Sequence, residues 1–264
     1  MRRDSLFWGS VLVVLGGLFL LQAMGIIPNA WGLFWPVFLV LLGLSIILGV
    51  YLGPRFRAGE DEGESFEIDL QGASEATVKF SYGAGQVSVG PGAPAGRLLA
   101  GSSGVAMSHS SHKIGDRLDV SVDAGPSFIP FIGPANNVWN FRLSPDVPIR
   151  IEVDSGAAGQ KFNLEDLNVT HFDLDTGASS TSLVLPSRGG TFVDLDAGAA
   201  SIDIRVPEGV SARISIDEGI TALEIDEQRF PRLHGGFYQS PGFDTAERRA
   251  EIKIDAGAGR IHIY

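Results

Sequence analysis

At 264 residues the chain has room for one or two domains plus membrane segments, and its 20 basic against 31 acidic side chains leave a net charge of −11. A surface this acidic argues against nucleic acid as a partner, because phosphate binding needs a basic patch, and it opposes adhesion of the domain to anionic lipid. There is no cysteine, so no disulfide holds the fold and no thiol supplies chemistry or a metal ligand.

Residues 1–54 read as a two-helix transmembrane hairpin. Leu6–Ile27 and Trp31–Leu52 are each 22 residues without a charge, and about 20 apolar residues cross a bilayer once. Pro28, Asn29 and Ala30 make a tight uncharged turn between them. A signal peptide is the alternative for the first segment, but its apolar region would be shorter and no second span would follow at once. Phe7 and Trp8 mark one interface, Trp31, Phe34 and Trp35 the other, and Tyr51 and Phe56 return to the first. Arg2 and Arg3 precede the hairpin, Arg55 and Arg57 follow it, and the turn has no cation, so both termini are expected on the cytoplasmic side. Gly16, Gly17 and Gly43 would let the helices approach closely. Gln22 is either an interhelical hydrogen-bonding group or a residue near the outer interface.

Residues 55–65 form a polar, acidic linker, and 66–264 a β-repeat domain. Asp154-Ser-Gly156, Asp175-Thr-Gly177, Asp196-Ala-Gly198 and Asp217-Glu-Gly219 are spaced by 21 residues each, and Asp255-Ala-Gly257 lies 38 further on. A short fixed period means stacked copies of one small unit. Hydrophobic alternation leads into each Asp, as in Ile214-Ser-Ile216, and resumes after it, as in Ile202-Asp-Ile204, so the units are strands with one buried face. Each unit therefore reads as strand, Asp-x-Gly turn, strand and a second turn such as Pro207-Glu-Gly209. In the first turn Asp is expected to accept backbone hydrogen bonds and Gly to supply a positive φ. Tyr82-Gly-Ala-Gly85 and Asp123-Ala-Gly125 are looser copies. The expected architecture is a membrane-anchored all-β chain, its domain a β-solenoid or a stack of β-hairpins.

Two insertions interrupt the period. Residues 126–137 carry Phe128, Ile129 and Phe131; residues 227–246 carry Phe230, Phe237, Tyr238 and Phe243. Insertions in such stacks form binding loops or fold back as caps, and the first one has the further option of touching the bilayer. Phe128, Ile129, Phe131, Phe237 and Tyr238 are the candidate partner-binding residues.

Leu174-Asp-Thr-Gly-Ala178 has the letters of an aspartic protease loop, and Asp154 would supply a second carboxylate. Four copies at a fixed period and a fifth beyond an insertion fit a structural turn better than a two-copy catalytic site. The stacked aspartates are an Asp ladder that calcium would fit in principle, without the Gly-rich nonapeptide of calcium-binding β-rolls. His109 and His112 fall on opposite faces of a strand and do not make a metal pair. No nucleophile elbow, P-loop or zinc-protease motif is present. The sequence offers neither an enzyme nor a cofactor.

The hairpin, with Phe7-Trp-Gly9, Leu15-Gly-Gly-Leu18 and Trp31-Gly-Leu-Phe-Trp-Pro-Val37, resembles the transmembrane region of LiaI/LiaF-type proteins. The Asp-x-Gly-Ala repeats resemble the toastrack domain that follows such segments and the LiaF carboxy-terminal region. The resemblance implies a non-catalytic protein of the cell-envelope stress response, its partner a sensor histidine kinase or another envelope-stress protein. The other reading is a scaffold or adhesion-like module that self-associates as a homo-oligomer or faces the envelope.

Overall fold

The computed structural model describes residues 15–16, 19–20, 22–25, 29, 31–32, 34–35, 64–103, 107–124, 138–233 and 236–264. By contact the chain separates into two units, the larger being Glu62–Pro126 with Asn136–Tyr264.

The described part of the N-terminal unit is helical on both sides of a turn. The first helix closes with the Met24 amide donating to Leu20 O at 3.0 Å and the Gly25 amide to Gln22 O at 3.0 Å. Gly25 has φ +73, the left-handed C-terminal stop that glycine favours. Ala23 is the last residue described as helical on this side, and the expected boundary at Ile27 lies outside the described residues. Asn29 Oδ1 then accepts from the Gly32 amide at 3.1 Å, the N-cap of the next helix. Trp31 stacks on Phe34 with centroids 5.5 Å apart. Among the described residues no helix is long and apolar enough to cross a membrane.

The larger unit is built from twelve strands: β1 (Glu64–Asp69), β2 (Glu75–Pro91), β3 (Arg97–Ser103), β4 (Met107–Ile114), β5 (Arg117–Ala124), β6 (Val138–Leu143), β7 (Ile149–Asn163), β8 (Val169–Val184), β9 (Gly190–Arg205), β10 (Ser211–Ile225), β11 (Tyr238–Gln239) and β12 (Arg249–Ile263). The first strand begins inside the segment read as a linker. The six long strands, β2, β7, β8, β9, β12 and β10, lie side by side in that order and all pair in parallel. Parallel pairing excludes a stack of β-hairpins, whose neighbouring strands would be antiparallel.

Each long strand is bent into two arms, and the sequence shows why. From Phe172 onward the buried side chains of β8 are Phe172, Leu174 and Thr176, then Thr181 and Leu183. Spacing two becomes spacing five across Gly177-Ala-Ser-Ser180, so the phase reverses and both arms turn their apolar faces inward. The two walls meet through aromatic contacts. Phe162 in the second arm of β7 lies 4.9 Å from Phe172 in the first arm of β8, and Phe80 lies 4.8 Å from Phe141. Return segments close each coil, with Leu164, Leu167, Leu185 and Val206 buried at 1% exposure or less. Gly189 and Gly209 take positive φ there, 73 and 76.

The spatial order departs from the sequence. β12 occupies the slot between β9 and β10, so Asp255 stands beside Asp196 and Asp217 is outermost. The 21-residue period does not carry the Asp ladder from Asp196 to Asp217. The insertion 227–246 is the path that makes this possible. It leaves the end of β10, crosses its edge through β11, which pairs antiparallel at Arg213 and Ile214, and returns to start β12. Phe230 and Phe243 are buried within it. At the other end the arms of β2 part company: β5 and β4 continue the first wall, β6, β3 and β1 the second.

Candidate functional site

The outer side of the first wall carries two rows of acids. The corner row places Asp154, Asp175, Asp196, Asp255 and Asp217 in direct register, each exposed. Two residues earlier, on the same face, stand Glu152, Asp173 and Asp194. The rows line an open groove of about 440 Å³ with Lys79 at one end and Lys253 at the other. Two cations partly compensate the inner row: Arg150 Nη1 reaches Asp173 Oδ2 at 3.4 Å and Lys253 Nζ reaches Asp194 Oδ2 at 3.5 Å. Among the described residues no hydrogen bond or ion pair reaches the five corner carboxylates, so the backbone-capping role expected for them is not what the structure shows. Like charges one strand spacing apart repel, and a surface of one sign draws the opposite one from solution.

The corner glycines also differ from expectation. None of Gly156, Gly177, Gly198, Gly219 and Gly257 has a positive φ. Their constraint is space. A Cβ on Gly156 would lie 2.6 Å from Gly83 O, one on Gly177 2.9 Å from Gly156 O, and one on Gly198 2.8 Å from Gly177 O. The series continues through Gly257 at 2.7 Å from Gly198 O and Gly219 at 2.3 Å from Gly257 O. Each coil settles its corner carbonyl against the bare Cα of the next.

Beneath the corner lies a buried polar seam. Tyr82 Oη donates to Gln160 Oε1 at 2.6 Å, Gln160 Nε2 donates to Ser155 Oγ at 3.2 Å, and Ser155 Oγ donates to Thr176 Oγ1 at 2.9 Å. Burial pushes the Tyr82 phenol well above its ordinary value, with a hydrogen bond to Ser155 opposing it. Trp139, packed 5.5 Å from Tyr82, is buried, and among the described residues its Nε1 has no hydrogen-bond partner.

Of the residues read as partner-binding, Phe128, Ile129 and Phe131 lie outside the described residues. Tyr238 is 7% exposed and sits in β11 opposite Ile214, part of the cover on the edge of β10 rather than of a free surface. Phe237 is half-buried beside it, its carbonyl accepting from the Leu233 amide at 2.8 Å. Asp154 and Asp175, weighed as a protease pair, are two rungs of one exposed ladder. His109 stacks on Phe66 at 4.5 Å, and among the described residues no group of three or more His, Asp or Glu side chains is placed to hold a metal. The inner acidic row was not read from the sequence. Its signal was there in Glu152-Val-Asp154, Asp173-Leu-Asp175 and Asp194-Leu-Asp196, an acid at every second residue and hence two acids on one face.

These features define a class: a bent parallel β-coil stack with an acidic outer wall, preceded by apolar helical sequence. Residues 57–205 match the N-terminal domain of toast_rack, DUF2154, and residues 6–47 match the LiaI-LiaF-like transmembrane region. The first match spans more than half of the chain, and the protein belongs to that toast-rack family. Its fold is similar to a solved structure from Clostridium sporogenes ATCC 15579, a "putative cell adhesion protein". That likeness has a TM-score of 0.69 at 16% identity, over 76% of this chain and 97% of that one. No curated protein matches.

Proposed function

We propose that this chain is a non-catalytic accessory protein of the bacterial cell envelope, held in the inner membrane by the hairpin over 6–27 and 31–52, whose β-stack binds another protein on the cytoplasmic side. The family match supports membrane association. The observation that carries the binding role is the in-register acidic wall, because like charges stacked at one strand spacing cost stability and suit a basic partner segment. By resemblance to LiaF-type proteins, that partner is a sensor histidine kinase or another envelope-stress protein.

Two experiments test this. Glu208 is exposed in a return turn and the chain has no cysteine, so Glu208→Cys gives a single thiol. Shielding from a membrane-impermeant reagent in intact cells, with labelling after lysis, is expected; labelling from outside overturns the cytoplasmic placement. For the partner, the full chain is expressed together with an envelope-stress sensor kinase of the same cell and captured at low and high salt. Replacing Asp173, Asp175, Asp194 and Asp196 by Asn should abolish a salt-sensitive capture. Undiminished capture by that variant would remove the acidic wall from the account.

A further inference from the structure

At the far end of the stack, β10 is the last of the long strands among the described residues. β10 pairs with β12 along its whole length, Ser211–Ile225. On its other side the described pairing is confined to the start. β11 covers Arg213 and Ile214, and Ser240 exchanges hydrogen bonds with Ala212, its Oγ accepting at 3.0 Å and its amide donating at 2.8 Å. From Ser215 to Ile225 no strand among the described residues lies alongside. The core at this end is correspondingly unfinished. Ile254, Ile261 and Ile263 of β12 are fully buried, whereas their register partners in β10, Ile216, Leu223 and Ile225, are only half-buried against the core.

The free backbone groups can be assigned. The Ala212 amide points to the open side, toward Ser240 Oγ, so by alternation the Ile216 amide does too. The Asp226 amide points inward, to Ile263 O at 3.0 Å, so those of Leu223 and Ile225 point outward. Thus the half-buried apolar side chains and the unpaired amides belong to the same residues. An added strand would cover both at once. On the solvent face the described side chains of this free stretch that carry charge are Asp217 and Glu224, both exposed. Arg213, at the covered start, is engaged by Gln239 and Asp244. Behind Asp217 stands the acidic corner row, with Lys253 two residues earlier in β12.

We propose that the free edge of β10 is a strand-addition site. Its occupant is an extended segment of another protein in which apolar residues alternate with lysine or arginine. The apolar residues complete the last layer of the core beside Ile216, Leu223 and Ile225, and the basic ones stand opposite Asp217 and Glu224, continuing the coil as its next rung. A second copy of this edge would bring acids against acids. The proposal rests on the reading of the domain as a protein-binding module and names the surface and the partner's chemistry.

The test uses the full chain in detergent or nanodiscs and a short fluorescent peptide alternating valine with lysine, read by anisotropy. The native chain should bind it, and the matched valine–glutamate peptide should not bind. Leu223→Pro removes one outward amide without touching the bonds to β12, and Glu224→Lys reverses an exposed charge and leaves the core intact. Each should weaken binding about tenfold, with the β-sheet circular dichroism of Glu224→Lys unchanged. Absence of binding to the native chain overturns the proposal and leaves the kinase-capture result to stand on its own. Binding that survives both edge variants and is lost in the fourfold Asn variant assigns the peptide to the acidic wall, which upholds the module and overturns the edge. A native dimer that Leu223→Pro dissociates makes a second copy the occupant and also overturns it.

Discussion

The corner glycines give the sharpest test of how the coils stack. In Gly177→Ala the new Cβ would sit 2.9 Å from Gly156 O, at least about 0.5 Å inside ordinary contact, which begins near 3.4 Å. Both groups are backbone and each is held by parallel pairing on two sides, so neither moves without opening a ladder. Overpacking of this kind costs about 1–3 kcal/mol. Alanine's smaller unfolded-state entropy returns about 0.4–1 kcal/mol, leaving a net loss of roughly 1–2 kcal/mol. For a domain of this size each kcal/mol moves Tm by about 2–4 °C. Gly83 heads the same ladder but has nothing within 4 Å of its Cβ position and no positive φ. Gly83→Ala should therefore raise Tm slightly, through the same entropy term alone. The assay is thermal unfolding of the two full-length variants in one detergent, followed by β-sheet circular dichroism. If both variants lose stability equally, the glycines answer to backbone conformation and the close-approach argument is wrong.

Three further outcomes follow from the same packing. Phe172→Ala empties a fully buried site that meets the Phe162 ring edge to face and should cost about 3–5 kcal/mol by urea unfolding; a cost below about 1 kcal/mol would mean that the two walls are not packed against each other. Tyr82→Phe leaves Gln160 Oε1 without its donor and should cost about 1–3 kcal/mol. Because burial raises the Tyr82 phenol above its unfolded value of about 10, the folded state holds that proton more tightly. Its stability contribution is full below pH about 10 and falls as pH rises further, a decline that the Phe variant should lack. Asp175→Asn removes one charge between Asp154 and Asp196 and should raise the unfolding midpoint at low ionic strength, with the gain vanishing in high salt; a gain unaffected by salt would show that it is not electrostatic.

Stacking in register is what made the coil legible from sequence. Each coil meets the next at the same residue, so the corner aspartate, the bare glycine and the inward Ile, Leu and Val recur at one period, and a recurring constraint is visible in letters. The two-wall geometry was nearly visible as well, since the change from spacing two to spacing five at the corner is a phase reversal written in the chain. What periodicity could not convey was why a residue recurs. Asp-x-Gly suits a capped turn with a positive φ and a close-packed bend equally well, and only the carbonyl of the neighbouring coil separates the two. Nor could composition separate a binding loop from a cover: the aromatics of 227–246 serve either purpose until Phe230, Tyr238 and Phe243 are seen buried.

The order of the last two coils was hidden for a different reason, yet a signal for it exists. Equivalent repeats carry no label of position, so the sequence alone favours Asp217 beside Asp196. After the corner glycine, however, the coils read Ala157-Ala158, Ala178-Ser179, Ala199-Ala200 and Ala258-Gly259, while β10 alone reads Ile220-Thr221 at the register positions of Ala258 and Gly259. Small residues are demanded where a coil is pressed from both sides: a Cβ on Gly259 would fall within 1.8 Å of Ala200 O, at a φ of +140. A strand with Ile and Thr at those two places does not fit that slot. It belongs where a neighbour lies on one side only. The departure of β10 from the small-residue rule therefore assigns it to the end of the stack, and it does so on the same steric ground that makes its outer edge free to take another strand.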